Sequence, residues 1–233
     1  VLATGARERS LAGRLIAGSP AAGVITGSQL EAESKRVGRT AVILGSDAHA
    51  HRALRHLNGM KVAAVVTPWS RPQVGAWSRL RLRSVTRTGA YIERVIGDER
   101  VTAVDLVYRD GRRERIACDT VVLTGDFIPE YELAVRTGLL MDRSTSGPAV
   151  DGAGRTSRQG VFAVGNVVHP GYSGNEVNAA ATAAAIRDYV DLGNWATSTP
   201  IDVASPIDWI SPAMGNAGQY VLLSLIHISE PTR

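Results

Sequence analysis

Val161-Phe162-Ala163-Val164-Gly165-Asn166 reads as a short apolar strand that halts at Gly-Asn and runs into a loop and then an alanine-rich helix. A strand stopping at glycine lets a ligand touch the backbone, and the polar side chain after it can reach a hydroxyl at the carboxyl edge of a parallel sheet. Asn166 is therefore the leading candidate for a binding residue. The helix predicted over 176–190 has strong propensity, with Ser173 or Asn175 as its N-cap, and its small alanines suit close packing on a sheet.

Working outward, Thr40–Leu44 and Lys61–Thr67 read as buried strands flanking a helix over 48–57 that stops at Asn58-Gly59, a βαβ unit of ordinary length. Upstream lie a strand over 1–4, a glycine-rich loop and a helix over 28–36. Residues 84–118 switch to alternating strands with turns at Thr88-Gly89, Gly97-Asp98 and Asp110-Gly111, which predicts an antiparallel three-stranded meander. Residues 120–124 return to a parallel-type apolar strand. The fold class is α/β.

At 233 residues and 44% apolar content, the chain can bury a real core in one large domain or two small ones. Its longest apolar runs are strand-length, so no membrane partner is expected, and no secretory leader opens it. One cysteine excludes an internal disulfide and a CxxC pair, so the expected setting is cytoplasmic. Net charge is +4, and between Arg71 and Arg115 eleven arginines face six acids. Arg79, Arg81 and Arg83 alternate, which puts them on one strand face. Either that face is simply solvated, or it meets a phosphate-rich ligand or an acidic partner. No nucleic-acid motif accompanies it.

The stretch Thr156-Ser157-Arg158-Gln159-Gly160 followed by Val161-Phe162-Ala163-Val164-Gly165-Asn166 resembles the second flavin-binding motif of FAD-dependent oxidoreductases of the pyridine nucleotide-disulfide reductase type. Val1-Leu2-Ala3-Thr4-Gly5-Ala6-Arg7 resembles that family's motif at the exit from the FAD domain, and Val121-Val122-Leu123-Thr124-Gly125-Asp126 resembles the one at re-entry. Three landmarks in order, spanning 1–190, imply an FAD/NAD(P)-binding Rossmann-like two-domain flavoprotein. They make Thr4, Gly5, Ala6, Gly125, Asp126, Gly165, Asn166 and Asn175 the candidate FAD-binding residues. The acid that ends the family's motif and holds the ribityl chain is Asn166 in this chain, an amide with a weaker hydrogen bond. The resemblance also implies that the N-terminus of the helix over 176–190 faces the flavin's pyrimidine edge, where its dipole stabilises the reduced anion. Within the family, the wording is most similar to the FAD subunits of opine, sarcosine and amino-acid oxidising complexes, including the hydrogen cyanide synthase type, which do without a redox disulfide.

Gly45-Ser46-Asp47-Ala48-His49-Ala50 stands where a dinucleotide fingerprint would, with Asp47 in place of the second glycine. A carboxylate there repels phosphate, and no acid follows Thr67-Pro68-Trp69 to hold a ribose, so NAD(P) binding is doubtful. His49 and His51 point to different helix faces, and His56 and His169 are isolated, so no metal site is expected. Gly171-Tyr172-Ser173-Gly174-Asn175 departs from GxSxG in its last residue, against a serine hydrolase. Cys118 reads as core. No catalytic base can be named.

The expected domains are a partial FAD-binding domain over 1–37, an inserted nicotinamide-type domain over 38–118, the FAD-binding return over 119–193, and a linker or start of a further module over 194–218. Residues 219–233 lack both Gly and Ala, and 224–233 look like translated sequencing-adapter read-through, a non-native tail. The chain opens inside a strand without Met, as a fragment would, and the resemblance requires GxGxxG roughly 90 residues before Val1. The chain as written is thus expected to hold FAD poorly. The expected activity is an FAD-dependent oxidoreductase subunit acting on an amine, amino acid or opine C–N bond, with a small-molecule substrate and a partner subunit. The alternatives are a non-catalytic scaffold subunit and an NAD(P)H-dependent flavin reductase.

Overall fold

The computed structural model describes residues 1–19, 21–32, 37–57, 59–72, 83–171, 175–202 and 210–215. It divides into two units: Thr4–Glu130 with the segment beginning at His169, and Val1–Ala3 with Tyr131–Val168 and the described residues from 175 onward.

In the first unit the strands are β1 (Ala6–Glu8), β2 (Val24–Thr26), β3 (Thr40–Leu44), β4 (Lys61–Thr67), β5 (Thr86–Thr88), β6 (Ala90–Ile96), β7 (Ala103–Tyr108), β8 (Arg113–Ala117), β9 (Thr120–Leu123) and β10 (Phe127–Pro129). Helices α1 (Gly27–Ala32) and α2 (Ala48–His56) lie between them. A five-stranded parallel sheet runs β2-β9-β3-β4-β5, and β6-β7-β8 form an antiparallel meander. The apolar runs of β3, β4 and β9 are continuous because both sheet faces are covered. Val42, Ala64, Val66, Val121 and Leu123 pack on the meander through Ile92, Val104, Leu106 and Ile116. Their neighbours Ala41, Ile43, Val65 and Val122 face the opposite way, onto Leu30 of α1 and Ala50, Ala53 and Leu57 at α2. The period of two in each strand thus builds three layers: meander, sheet, helices.

Several expectations shift. The three antiparallel strands begin at Ala90, since Thr86–Thr88 instead pairs with β4 as the fifth parallel strand. Helix α1 is described to Ala32, and residues 33–36 lie outside the described residues, as do Asn58, Arg79, Arg81, Ser173 and the tail 219–233. The boundaries at 37/38 and 118/119 fall inside one sheet, because β9 hydrogen-bonds to both β2 and β3. A cut at either point would sever parallel ladders, so residues 4–37 and 119–130 pack with 38–118.

The second unit holds α3 (Glu132–Arg136), α4 (Asn175–Leu192), and the two-residue strands β11 (Thr199–Pro200) and β12 (Met214–Gly215). The strand expected over 1–4 reduces to a single parallel bridge from Leu2 to Ala163, with Leu2 N–H donating to Phe162 O and Val164 N–H to Leu2 O. Val161 to Val164 likewise forms only isolated bridges, the other joining Phe162 to Arg155. Val150, Ala163, Val167 and Val168 form the local core with Leu2 beside them. Phe162, Tyr189 and Trp195 meet edge to face at 5.3 to 6.2 Å, fixing the end of α4 against this segment.

Candidate functional site

Gly165 opens a 3-10 turn, Gly165–Val167, directly after extended Val164. Its φ of +80° is left-handed, and a Cβ built on it meets no protein atom within 4 Å. Gly165 lines a shallow crevice with Val150, Asp151, Gly152, Gly154, Ala163, Val164 and Val168, and with Ser211 and Pro212, whose enclosed space of about 20 Å³ holds little more than one water. Gly152 also has open space where a Cβ would stand, so two backbone positions face a gap that side chains would fill.

Asn166 lies within the 3-10 turn, directly after a crevice-lining residue, and Asn175 is the first residue of α4. Asp151, which sequence reasoning missed, is buried in the crevice wall. Its carboxylate accepts from Ala153 N–H and Arg155 N–H at 2.9 Å each, and lies 3.3 Å from the Arg155 guanidinium. Its one sequence signal is the Asp-Gly step at 151–152, which reads as a turn rather than a site.

The other candidates belong to the Thr4–Glu130 unit, at the short antiparallel ribbon of β1 and β10. Thr4 Oγ1 donates to Glu130 O at 2.8 Å, Gly5 O accepts from Glu130 N–H at 2.9 Å, and Ala6 pairs with Pro129. Gly125 and Asp126 sit at the opposite end of that ribbon, by Arg9. Thus Gly5 and Gly125 are separated by the ribbon's length rather than side by side, because antiparallel pairing puts the entry of one chain against the exit of the other. The Asp126 carboxylate is 3.1 Å from Arg9 Nε. Arg14, its side chain 8% exposed, clamps this turn, donating to Arg9 O, Thr124 O and Gly125 O at 2.9, 3.2 and 2.6 Å. Burial holds its guanidinium below the ordinary arginine range, with Asp126 offsetting part of the effect.

Asp47 is the N-cap of α2, its Oδ1 accepting from His49 N–H and Ala50 N–H at 3.0 Å each. Gly45 before it has φ +129°, and a Cβ there would stand 2.1 Å from Thr124 Oγ1, so this glycine is required by packing against β9. Glu8 does for α1 what Asp47 does for α2: its buried carboxylate accepts from Ser28 N–H at 2.8 Å. Both helix starts at the carboxyl edge of the sheet are thereby occupied by the protein's own anions.

Cys118 is buried, and its thiol is pushed up to about 11 by burial and then by Asp119. At pH 8 that leaves about one thiolate in a thousand. A disulfide-exchange thiol reagent at pH 8 is expected to leave Cys118 unmodified in the native protein while reacting fully in urea; prompt native labelling contradicts this. Among the described residues no cluster of three or more His, Cys, Asp or Glu could hold a metal ion, and no helix is long and apolar enough to cross a membrane.

Residues 1–186 match the family model for pyridine nucleotide-disulphide oxidoreductase. Among solved structures, the chain is similar to a thioredoxin reductase of T. acidophilum, with a TM-score of 0.64 and 20% identity over 80% of this chain and 64% of that one. Lactococcus lactis thioredoxin reductase in its FR conformation gives 0.65 and 18% over the same shares, 80% and 64%. A FAD-dependent pyridine nucleotide-disulphide oxidoreductase from Desulfovibrio vulgaris gives 0.58 and 22%, over 72% and 45%. The chain therefore spans less than two thirds of the length of these structures, and the likeness shows a partial FAD/NAD(P)-binding Rossmann-like fold. No curated protein matches it.

Proposed function

The chain belongs to the pyridine nucleotide-disulphide oxidoreductase family, whose members are FAD-dependent oxidoreductases, and we propose that it works in a complex oxidising an amine, amino acid or opine at its C–N bond. Electrons reach its flavin from substrate or a partner subunit, not from nicotinamide nucleotide. The observation that carries this reading is the Asp47 carboxylate bound to the first amides of α2, where a dinucleotide phosphate would need them. The lone buried cysteine adds to it, since no dithiol pair can form within this chain.

FAD fits the second unit in part. The Gly165 backbone and the Asn166 amide would hold its ribityl chain, and the open positions at Gly152 and Gly165 allow the close approach. When bound, FAD supplies a two-electron acceptor for the C–H next to the substrate nitrogen. The chain's own part is to hold that group in the crevice and to present the N-terminal end of α4, whose dipole favours negative charge by about 0.3–1 kcal/mol.

In the complete gene product, NADH and NADPH are expected to leave the visible flavin band unbleached under anaerobic conditions, whereas an amino-acid, amine or opine substrate bleaches it. Bleaching by either nucleotide overturns this reading in favour of a nucleotide-dependent flavin reductase. The neutral amide at Asn166 favours one second reading, a scaffold subunit that keeps the fold while its partner does the chemistry. A colourless complete protein supports that alternative.

A further inference from the structure

We infer that a corner of the Thr4–Glu130 unit built from Trp69, Arg71, Arg109 and Arg112 is a docking surface for a carboxylate-rich face of a partner protein. It takes up the arginine surplus between Arg71 and Arg115, which the flavin reading leaves unused, and it rests on that reading only for the existence of a partner subunit. Backbone hydrogen bonds assemble the corner from three segments. Trp69 O, shortly past β4, accepts from Gly89 N–H at 3.0 Å, and Gly89 O, directly past β5, accepts from Arg109 N–H at 2.9 Å. Gly89 has φ +62°, and the Arg109 stem lies 3.9 Å from where its Cβ would stand. Residues far apart in sequence are thus fixed side by side, with Trp69 47% exposed and Arg71, Arg109 and Arg112 exposed.

The corner is organised before any partner arrives. The Arg112 guanidinium lies 3.7 Å over the Tyr108 ring, the Tyr108 hydroxyl donates to Glu114, and Glu114 is paired with Arg87 at 3.2 Å. Stacking uses the face of the guanidinium and leaves its N–H fork in the ring plane, the geometry that grips a carboxylate through two hydrogen bonds. Among the described residues Arg71 and Arg109 form no ion pair, and the one acid of the turn, Asp110, has its carboxylate accepting from Arg112 N–H at 3.0 Å. Three arginines therefore stand against one acid beside an exposed tryptophan, and clustered Trp and Arg are the side chains that anchor protein interfaces. Phosphate is the poorer match. The corner is made of strand ends and a hairpin turn, while the helix amides of α2 that could hold phosphate are taken by Asp47.

The test uses the complete gene product with poly-L-glutamate of about 20 residues as the probe, read by fluorescence anisotropy at low salt. Arg109→Glu with Arg112→Glu is expected to weaken binding at least about tenfold, whereas Arg136→Glu with Arg143→Glu, the same change of net charge on exposed residues of the other unit, weakens it less than about threefold. In the unmodified protein the probe is expected to slow hydrogen exchange in 108–113 and oxidation of Trp69. Equal losses in the two variants, or protection confined to other segments, overturns the corner. Duplex DNA of matched charge that binds more tightly than the peptide, and is lost with Arg109→Glu and Arg112→Glu, overturns the carboxylate partner in favour of nucleic acid. Substrate bleaching of the parent's flavin, measured alongside, separates the two readings. A bleached parent with no saturable peptide binding overturns the corner alone; a parent that binds the peptide at the corner but is bleached by no amine, amino acid or opine overturns the oxidase reading and leaves the corner standing.

Discussion

Asp119→Ala is expected to destabilise the Thr4–Glu130 unit by about 1–2 kcal/mol, measured as a lower urea midpoint at unchanged slope. Asp119 lies between β8 and β9, and its carboxylate accepts from Arg39 N–H at 2.7 Å, Thr40 N–H at 3.0 Å and Thr120 Oγ1 at 3.1 Å. It therefore ties the start of β3 to the start of β9, two strands brought together across nearly eighty residues of chain. A sheltered hydrogen bond to a charged acceptor contributes about 1.5–3 kcal/mol, and less here because Arg39 is exposed and its amide regains water when alanine replaces the carboxylate. Burial alone pushes the Asp119 carboxyl up, but the bonds from Arg39, Thr40 and Thr120 outweigh it and hold the group below the usual carboxylate range. The sign follows: this contribution is full above the unfolded value of about 3.9 and is lost as pH falls through the lower folded value. The gap between Asp119→Ala and the parent is expected to shrink progressively as pH falls below about 3.9. A gap under about 0.5 kcal/mol at pH 7 contradicts the tie.

Gly165→Val is expected to weaken flavin binding in the complete gene product by about a hundredfold, on the order of 3 kcal/mol, and Gly165→Ala by clearly less. Both variants bear the strain of a side chain at φ +80°, about 1–2 kcal/mol, and neither meets a protein atom within 4 Å at its Cβ. Because β-branched valine is strained more than alanine at positive φ, only a loss of affinity that exceeds the fall in each variant's flavin-free stability is assigned to obstruction of the ligand. Equal loss in the two variants would assign the effect to strain alone.

Thr40–Leu44, Lys61–Thr67 and α2 were legible because each is a long apolar or capped run whose local preference agrees with its place in the sheet. The meander was legible from its alternation and glycine turns. The domain boundaries were not, because β2 and β5 are three residues each and owe their existence to partners far along the chain. The Gly165 turn was found because a glycine ending an apolar run leaves a pattern. Two other features, one in each unit, leave none. Arg14 acts through three backbone carbonyls, and residues 198–202 and 210–215, within the stretch read from sequence as a linker or the start of a further module, are held by backbone hydrogen bonds and the burial of Met214. Asp47 was seen as a lost glycine, and the structure gives it a positive role as a helix cap.

The most direct measurement of the central claim is a crystal structure of the complete gene product with FAD. The account predicts the ribityl chain in the crevice at Gly165, with one hydroxyl hydrogen-bonded to the Asn166 amide. Flavin bound elsewhere on the protein, with that crevice holding only solvent, would contradict it.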